Sequence, residues 1–124
     1  MTRKPTILVV DDDGPILLLM RNILREFGFD ALGASNGSEA LALAREHRPN
    51  LVLLDKHMPG MDGEEVIRRL RREPGLGEVP ILILSGEPVE PDDLASLGAT
   101  AAILKPFDVP ALIERIRATI GAAA

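Results

Sequence analysis

The sequence contains no cysteine, tryptophan or tyrosine, and its only aromatic side chains are three phenylalanines. Without cysteine, disulfide bonds and thiolate metal sites are excluded, which fits a reducing, cytoplasmic compartment. Three phenylalanines are too few for the base-stacking platforms that single-stranded nucleic-acid binders use. These absences exclude disulfide bonds and thiolate metal sites, and they argue against single-stranded nucleic acid as a partner.

Long apolar runs and an excess of positive charge are also missing. The longest strictly apolar run, Ile16–Met20, falls far short of the roughly 20 residues that a membrane-spanning helix needs. A net charge of -5 argues against a large nucleic-acid footprint or binding to an anionic membrane. The length is enough to bury a core, and we expect residues 1–124 to form a single domain.

Five short apolar segments predict five strands, with helical patterns between them. The first, third and fourth are nearly continuous Ile, Leu and Val, which is typical of strands covered by helices on both faces. The segments are Ile7–Val10, Phe29–Leu32, Leu51–Leu54, Ile81–Leu84 and Ala101–Leu104. Five β-α units predict a doubly wound, flavodoxin-like α/β sandwich with a parallel sheet of order 2-1-3-4-5.

Capping residues and apolar stripes predict where the helices lie. We expect N-caps at Asn36, Asp62 and Asp108, and we interpret Asp13 as a cap rather than a metal ligand. A short fourth helix is expected near Pro91 to Leu97, and Gly121 is expected to end the last helix. The first helix should bury the stripe Ile16, Met20, Ile23, Leu24 and Phe27, and the third should end in the solvated cluster Arg68, Arg69, Arg71 and Arg72.

Polar side chains follow four of the predicted strands at the point where each strand ends. They are Asp11 and Asp12 after the first strand, Asp55 at the end of the third, Ser85 after the fourth and Lys105 after the fifth. Because the carboxyl ends of parallel strands meet at one edge, we expect these groups to converge. Clustered carboxylates suit a hard cation such as Mg²⁺. A carboxylate can also attack phosphorus, while an ammonium and a hydroxyl stabilise the phosphoryl oxygens.

Over essentially its whole length, the chain resembles the receiver domain of two-component response regulators. The resemblance rests on four motifs in order: Val10-Asp11-Asp12, Leu54-Asp55 with Met58-Pro59-x-Met61-Asp62-Gly63, Ser85, and Lys105-Pro106-Phe107. It implies that Asp55 accepts a phosphoryl group. It also implies that Mg²⁺, or Mn²⁺ in its place, is bound by Asp12, Asp55 and the backbone carbonyl of His57, with Asp11 acting mainly through water.

The resemblance carries further expectations about mechanism and partners. Lys105 would contact the phosphoryl group and precede a cis bond to Pro106, and Ser85 would move to bond that group. The donor would be a phosphohistidine on a sensor histidine kinase or phosphotransfer protein. The target would be a downstream protein or attached output domain, with no direct binding of this domain to nucleic acid or membrane. The chain would catalyse only its own phosphorylation and dephosphorylation.

One position departs from the pattern of these domains. The second switch position, usually aromatic, falls on Ala102, and a methyl group cannot swing between exposed and buried states as a ring does. We therefore expect any switch to act through Ser85 and backbone movement of the surface from strand 4 to helix 5. Dimerisation through that surface stays open.

Two other interpretations compete with the phosphorylated switch. Asp11-Asp12-Asp13-Gly14 also fits the Asp-x-Asp-Gly pattern of small phosphohydrolases of the haloacid dehalogenase type, with Asp11 as nucleophile. That interpretation leaves Asp55 unexplained and lacks the usual acidic pair after the lysine. The other alternative is a non-phosphorylated interaction module that keeps only the fold.

Overall fold

The computed structural model describes residues 4–56 and 63–123, and within these ranges five strands alternate with five helices. The strands are β1 (Thr6–Val10), β2 (Asp30–Ala34), β3 (Leu51–Asp55), β4 (Ile81–Ser85) and β5 (Ala101–Leu104). The helices are α1 (Gly14–Glu26), α2 (Gly37–His47), α3 (Gly63–Arg72), α4 (Pro91–Leu97) and α5 (Val109–Ala123). No helix in the described ranges combines the length and the apolar character required to cross a bilayer.

All strand pairings in the sheet are parallel, and the order is β2-β1-β3-β4-β5. The predicted doubly wound α/β architecture is therefore confirmed. Strand order reverses direction between β1 and β3, so their carboxyl ends lie side by side at the switch point. Register partners at that edge are Val10 and Leu54, Asp55 and Leu84, and Ser85 and Leu104.

The core is split by the sheet into two layers, because successive strand residues point to opposite faces. One layer packs against α2 and α3, and the other packs against α1 and α5. The first contains Leu8, Val10, Val52, Leu54, Ile81 and Ile83, and the second contains Ile7, Val9, Leu51, Leu53, Leu82 and Leu84. Burying each such side chain contributes about 1.5–3 kcal/mol, so the three central strands form a rigid base for the groups at their ends.

Three predicted N-caps are confirmed by side-chain hydrogen bonds to the first turn of a helix. Asp13 accepts from the amide of Ile16 at 3.1 Å, Asn36 from that of Glu39 at 2.8 Å, and Asp108 from that of Ala111 at 2.7 Å. These bonds satisfy amides that otherwise lack a partner. The fourth predicted cap, Asp62, lies outside the described residues.

Parts of the predicted α1 stripe are wrong. Met20 and Leu24 are buried, whereas Ile16 is 46% exposed and Phe27, the residue that caps the helix C-terminus, is also exposed. The 13 residues of α1 span about 20 Å, and the five-residue strand beneath spans about 17 Å. The helix is therefore slightly longer than the strand beneath it, so side chains at its two ends have less of the sheet to pack against.

Two predicted boundaries also differ from the structure. Strand β2 runs from Asp30 to Ala34 instead of Phe29–Leu32, with Phe29 buried just before it. Helix α5 passes through Gly121 and continues to Ala123, so this glycine does not end the helix. Its φ is not in the left-handed region, which is the conformation that a glycine helix stop requires.

The loop between α3 and β4 depends on a glycine in the left-handed region. Gly75 has φ +81°, and an added Cβ would collide with the guanidinium of Arg48, which donates to the Pro74 carbonyl at 2.7 Å. We expect Gly75→Ala to lower the free energy of unfolding by about 1–2 kcal/mol in urea titrations followed by circular dichroism. Gly121→Ala, inside a helix with open space around it, should instead raise that free energy by up to about 1 kcal/mol. Equal stability of the Gly75 variant and the parent would contradict the steric account.

Candidate functional site

The carboxylate of Asp55 lies at the end of the central strand β3. Asp55 is the last residue of the strand and is only 7% exposed. Its neighbours in the chain and sheet fix it in place, because the Lys56 amide donates to the Leu84 carbonyl at 3.0 Å. A carboxylate this deep requires cationic or hydrogen-bonding partners.

Lys105 supplies a cationic partner from the end of β5. Its Nζ donates to Oδ1 of Asp55 at 3.1 Å, and its backbone amide donates to the Ser85 carbonyl at 2.7 Å. The peptide bond between Lys105 and Pro106 is cis, as predicted. The lysine side chain remains 38% exposed, so its ammonium lies between the buried carboxylate and solvent.

The end of β1 places two more carboxylates at the same edge. Asp11 is 4% exposed, its amide donates to the Ala34 carbonyl at 3.0 Å, and its Oδ1 accepts from the amide of Asp13 at 2.9 Å. Asp12 is exposed to solvent. The pair therefore combines one fixed, buried acid with one accessible acid.

Burial has the largest effect on the ionisation of Asp11 at this edge, and nearby charges add smaller effects. Burial raises the pKa of Asp11, and the negative charges of Asp55 and Asp12 raise it further. The hydrogen bond from the Asp13 amide and the positive charge of Lys105 act in the opposite direction. Because the net effect is still to raise the pKa, added positive charge at this edge would be favourable.

Ser85 ends β4 beside these groups and is 1% exposed. Its hydroxyl donates to the carbonyl of Glu87 at 2.7 Å and accepts from the amide of Glu87 at 3.2 Å. The hydroxyl is thus held by the loop that leads to α4. Sequence reasoning did not identify this contact, since the partner is a backbone group that no residue type specifies.

The donor set at this edge fits a hard divalent cation in its chemistry, since Asp11, Asp12 and Asp55 offer only oxygen ligands. Among the residues that the structure describes, no three His, Cys, Asp or Glu side chains are arranged to hold a metal ion by themselves. The predicted ligand set does not need three, because it combines Asp12 and Asp55 with a backbone carbonyl. That carbonyl belongs to His57, which lies outside the described ranges.

Comparison with known proteins identifies the family to which this fold belongs. Residues 7–117 match the model of the response regulator receiver domain. The chain belongs to the response regulator receiver family.

Relatives of this receiver include both longer regulators and proteins of similar length. It is 41% identical over 121 residues to the DNA-binding response regulator MtrA of Mycobacterium tuberculosis, covering 96% of this chain and 52% of MtrA. It is 33% identical over 118 residues to the polar-differentiation response regulator DivK of Brucella anthropi, covering 94% of this chain and 96% of DivK. The chain thus spans about half the length of MtrA but nearly all of DivK.

Solved structures of receivers superpose closely on this one. The chemotaxis response regulator CheY4 of Vibrio cholerae matches with a TM-score of 0.86 at 28% identity, covering 94% of this chain and 99% of that one. A CheY-like receiver domain protein from Methanospirillum hungatei matches with a TM-score of 0.83 at 28% identity, covering 97% and 96% of the two chains. The family that the sequence motifs predicted is therefore confirmed.

The structure describes five of the predicted site residues of this receiver, and the sixth, His57, lies outside the described ranges. The structure brings together the strand-end residues Asp11, Asp55, Ser85 and Lys105. Asp12 follows Asp11 in the chain and has an accessible side chain. The roles assigned to them as acceptor, ligands and switch stay predictions. The role of His57 is likewise a prediction.

Proposed function

We propose that Asp55 accepts a phosphoryl group from a phosphohistidine on a sensor histidine kinase or phosphotransfer protein, in a Mg²⁺-dependent reaction. The signal would leave through the surface from β4 to α5. The observation that carries this proposal is the 3.1 Å contact between Lys105 Nζ and Asp55 Oδ1 at the carboxyl edge of the sheet. A buried carboxylate with a half-exposed ammonium beside it offers a nucleophile and a charge for the incoming phosphoryl oxygens.

In the transfer step, an oxygen of Asp55 forms a bond to phosphorus while the phosphorus–nitrogen bond to the donor histidine breaks. The imidazole leaves with the bonding electron pair and takes up a proton. The rigid strand β3 holds the acceptor oxygen in position, which removes much of the orientation cost. A bound divalent ion, held by Asp12, Asp55 and the His57 carbonyl, would supply further positive charge beside the phosphoryl oxygens.

Lys105 would have two successive partners in this mechanism. Before transfer its ammonium pairs with the Asp55 carboxylate. As charge develops on the phosphoryl oxygens, the same ammonium can turn to them, since its long and half-exposed side chain is not confined by the core. The positive charge then stays at the site throughout the step.

Ser85 would report the phosphoryl group to the rest of the domain. Its hydroxyl is held by the carbonyl and amide of Glu87. In the phosphorylated state the hydroxyl would donate to a phosphoryl oxygen instead, because a charged acceptor gives a stronger hydrogen bond than a neutral carbonyl. The loop at Glu87 would then lose both contacts and rearrange.

A protein donor, rather than a small molecule alone, is supported by the surface beside the site. Helix α1 begins just after Asp13, and β5 ends at Leu104, directly before Lys105. The exposed large apolar side chains on these two elements are Ile16, Leu18, Leu19 and Leu104. A donor protein that brings its histidine to Asp55 must approach across this edge. Covering such side chains would contribute to its affinity.

The position of Lys105 favours Asp55 over Asp11 as the nucleophile. The ammonium donates to Asp55, and it enters the environment of Asp11 only as a charge that lowers the pKa. Asp11 in turn is held by the Asp13 amide. The phosphohydrolase interpretation requires Asp11 to attack, so these contacts support the receiver mechanism.

The proposal is tested by incubating the chain with acetyl phosphate and Mg²⁺ and recording intact mass. We expect one acid-labile phosphoryl group per chain, no uptake when EDTA replaces the metal, and restored uptake with Mg²⁺ or Mn²⁺. Steady turnover of p-nitrophenyl phosphate that is lost in Asp11→Asn would overturn the proposal in favour of a phosphohydrolase. Absence of both uptake and Mg²⁺ binding would indicate an interaction module instead.

Replacement of Lys105 separates its role in transfer from metal binding. We expect Lys105→Met to slow phosphoryl uptake about a hundredfold, since one charged group that stabilises the transferring oxygens is removed. Mg²⁺ affinity should stay the same or rise, because a positive charge near the carboxylates is lost. The initial rate of uptake and a calorimetric Mg²⁺ titration measure the two effects.

The matched control for this variant is Lys56→Met, which removes an exposed lysine adjacent to Asp55 in the chain. This control should take up phosphoryl groups at nearly the rate of the parent. Equal slowing in both variants would show that the general loss of positive charge matters, rather than the contact of Lys105 with Asp55.

A further inference from the structure

Helix α4 is weakly attached to the rest of the domain. None of the seven residues Pro91–Leu97 is buried, and Glu90 at the N-cap makes no side-chain capping bond. Only Leu94 and Leu97 are partly buried, where they pack against the core layer beneath α2 and α3. An element with so few buried contacts is expected to move at low free-energy cost.

The C-terminal end of α4 is fixed much better than the rest of the helix. Gly98 has φ +83° and closes the helix, with its amide and that of Ala99 donating to the Leu94 carbonyl at 3.0 and 3.1 Å. The carbonyl of Gly98 accepts from Nε of Arg71 at 2.9 Å. The end of α4 is therefore bonded to a side chain of α3.

Arg71 joins three separate parts of the chain. Besides Gly98, its Nη1 donates to the carbonyls of Val79 at 2.6 Å and Gly77 at 3.3 Å, in the segment that leads into β4. The predicted assignment of Arg71 to a solvated cluster is therefore wrong, although Arg68, Arg69 and Arg72 are exposed. Three carbonyls arranged around one guanidinium match its planar set of donors.

The charge on Arg71 strengthens these bonds. Burial lowers the pKa of the guanidinium, but an arginine remains protonated at neutral pH. Hydrogen bonds from an ionised donor in a partly buried place are stronger than those between neutral groups. The bond to Gly98 should thus persist when other contacts of α4 change.

The other end of α4 is attached through the phosphorylation site. The loop before the helix is held by the two hydrogen bonds between the Ser85 hydroxyl and the backbone of Glu87. Under the proposed function, the Ser85 hydroxyl leaves Glu87 when Asp55 is phosphorylated. The two ends of α4 therefore differ, because one depends on the state of Asp55 and the other depends on Arg71.

We propose that Arg71 makes Gly98 a pivot for α4, so that phosphorylation frees the helix at its N-terminal end while its C-terminal end stays in place. The proposal deepens the proposed function, on which it rests, by stating how the output surface moves without an aromatic side chain at Ala102. Arg71 acts as a positioning residue here, since its hydrogen bonds reach Gly98 at the end of α4 and Gly77 and Val79 before β4, and not the phosphoacceptor.

The test is amide hydrogen exchange measured by NMR on the full chain, with and without Mg²⁺ and beryllofluoride as a phosphoryl analogue. In the parent, we expect the analogue to speed exchange about tenfold or more at the amides of Glu87 and Leu94, which are hydrogen-bonded before and in the first turn of α4. The amides of Gly98 and Ala99 should change less than about twofold. In Arg71→Met, Gly98 and Ala99 should exchange about tenfold faster even without the analogue, because a charged hydrogen bond is lost.

Two further variants complete the test. Arg72→Met removes the adjacent, exposed arginine and should leave Gly98 and Ala99 as in the parent. Arg71→Lys keeps the charge but cannot reach all three carbonyls, so it should give an intermediate effect at Gly98 and Ala99. If Arg71→Met does not fold, the lysine variant carries the test alone.

Three results would overturn the pivot. One is unchanged exchange at Gly98 and Ala99 in the folded Arg71 variants. Another is a parent chain that binds the analogue and then exchanges faster at both ends of α4 alike, which would remove the pivot and leave the proposed function standing. A parent that binds neither the analogue nor a phosphoryl group would overturn the proposed function and the pivot together.

Discussion

Asp55→Asn is expected to abolish the uptake of acid-labile phosphate from acetyl phosphate in the presence of Mg²⁺. The amide oxygen is a far weaker nucleophile than the carboxylate, and the negative charge that Asp55 offers to the metal and to Lys105 is lost. Intact-mass spectrometry over the time in which the parent becomes fully modified measures the loss. The variant should stay folded, because asparagine has nearly the same shape and the half-exposed lysine can be hydrated.

The Asp11→Asn variant is the informative comparison for that experiment. It removes a buried charge from the same edge but leaves the proposed acceptor in place, so uptake should be slower and still occur. Asp108→Asn, which alters only the cap of α5, should behave like the parent. Uptake by Asp55→Asn equal to that of the parent would refute the assignment of the acceptor.

Asp12→Asn is expected to weaken Mg²⁺ binding at least about tenfold and to slow phosphoryl uptake to a similar extent. The side chain is exposed next to Asp11 in the chain, so its replacement removes the proposed ligand without disturbing the core. Since the chain has neither tryptophan nor tyrosine, calorimetry or NMR titration is the suitable measurement instead of intrinsic fluorescence.

Asp13→Asn provides a matched control for the metal experiment. It removes one negative charge from the next position, but asparagine caps helices as well as aspartate and keeps the bond to the Ile16 amide. Its Mg²⁺ affinity should stay within about twofold to threefold of the parent. Equal weakening in Asp12→Asn and Asp13→Asn would mean that only the summed charge of this loop matters.

The central strands and their ends could be predicted from sequence because burial on both faces leaves an unmistakable apolar pattern. Strands β1, β3 and β4 are buried almost throughout, so any polar residue that follows them must lie at the carboxyl edge. Strand order then brings those ends together. The positions of Asp55 and Ser85 in the site follow from these two facts alone.

Features that depend on distant contacts could not be predicted in this way. The exposure of Ile16 depends on how far α1 extends beyond the sheet, and the continuation of α5 past Gly121 depends on a φ that the sequence does not specify. Arg71 has the same residue type and nearly the same place as its exposed neighbours. Only the fold shows that its guanidinium meets carbonyls from two other segments.

The most direct test of the central claim is to trap the phosphorylated chain with borohydride, which reduces an acyl phosphate to an alcohol and converts the modified aspartate to homoserine. Peptide sequencing by mass spectrometry then identifies the acceptor. We expect homoserine at position 55 and at no other position. Homoserine at position 11, or none in a chain that has taken up phosphate, would contradict the account.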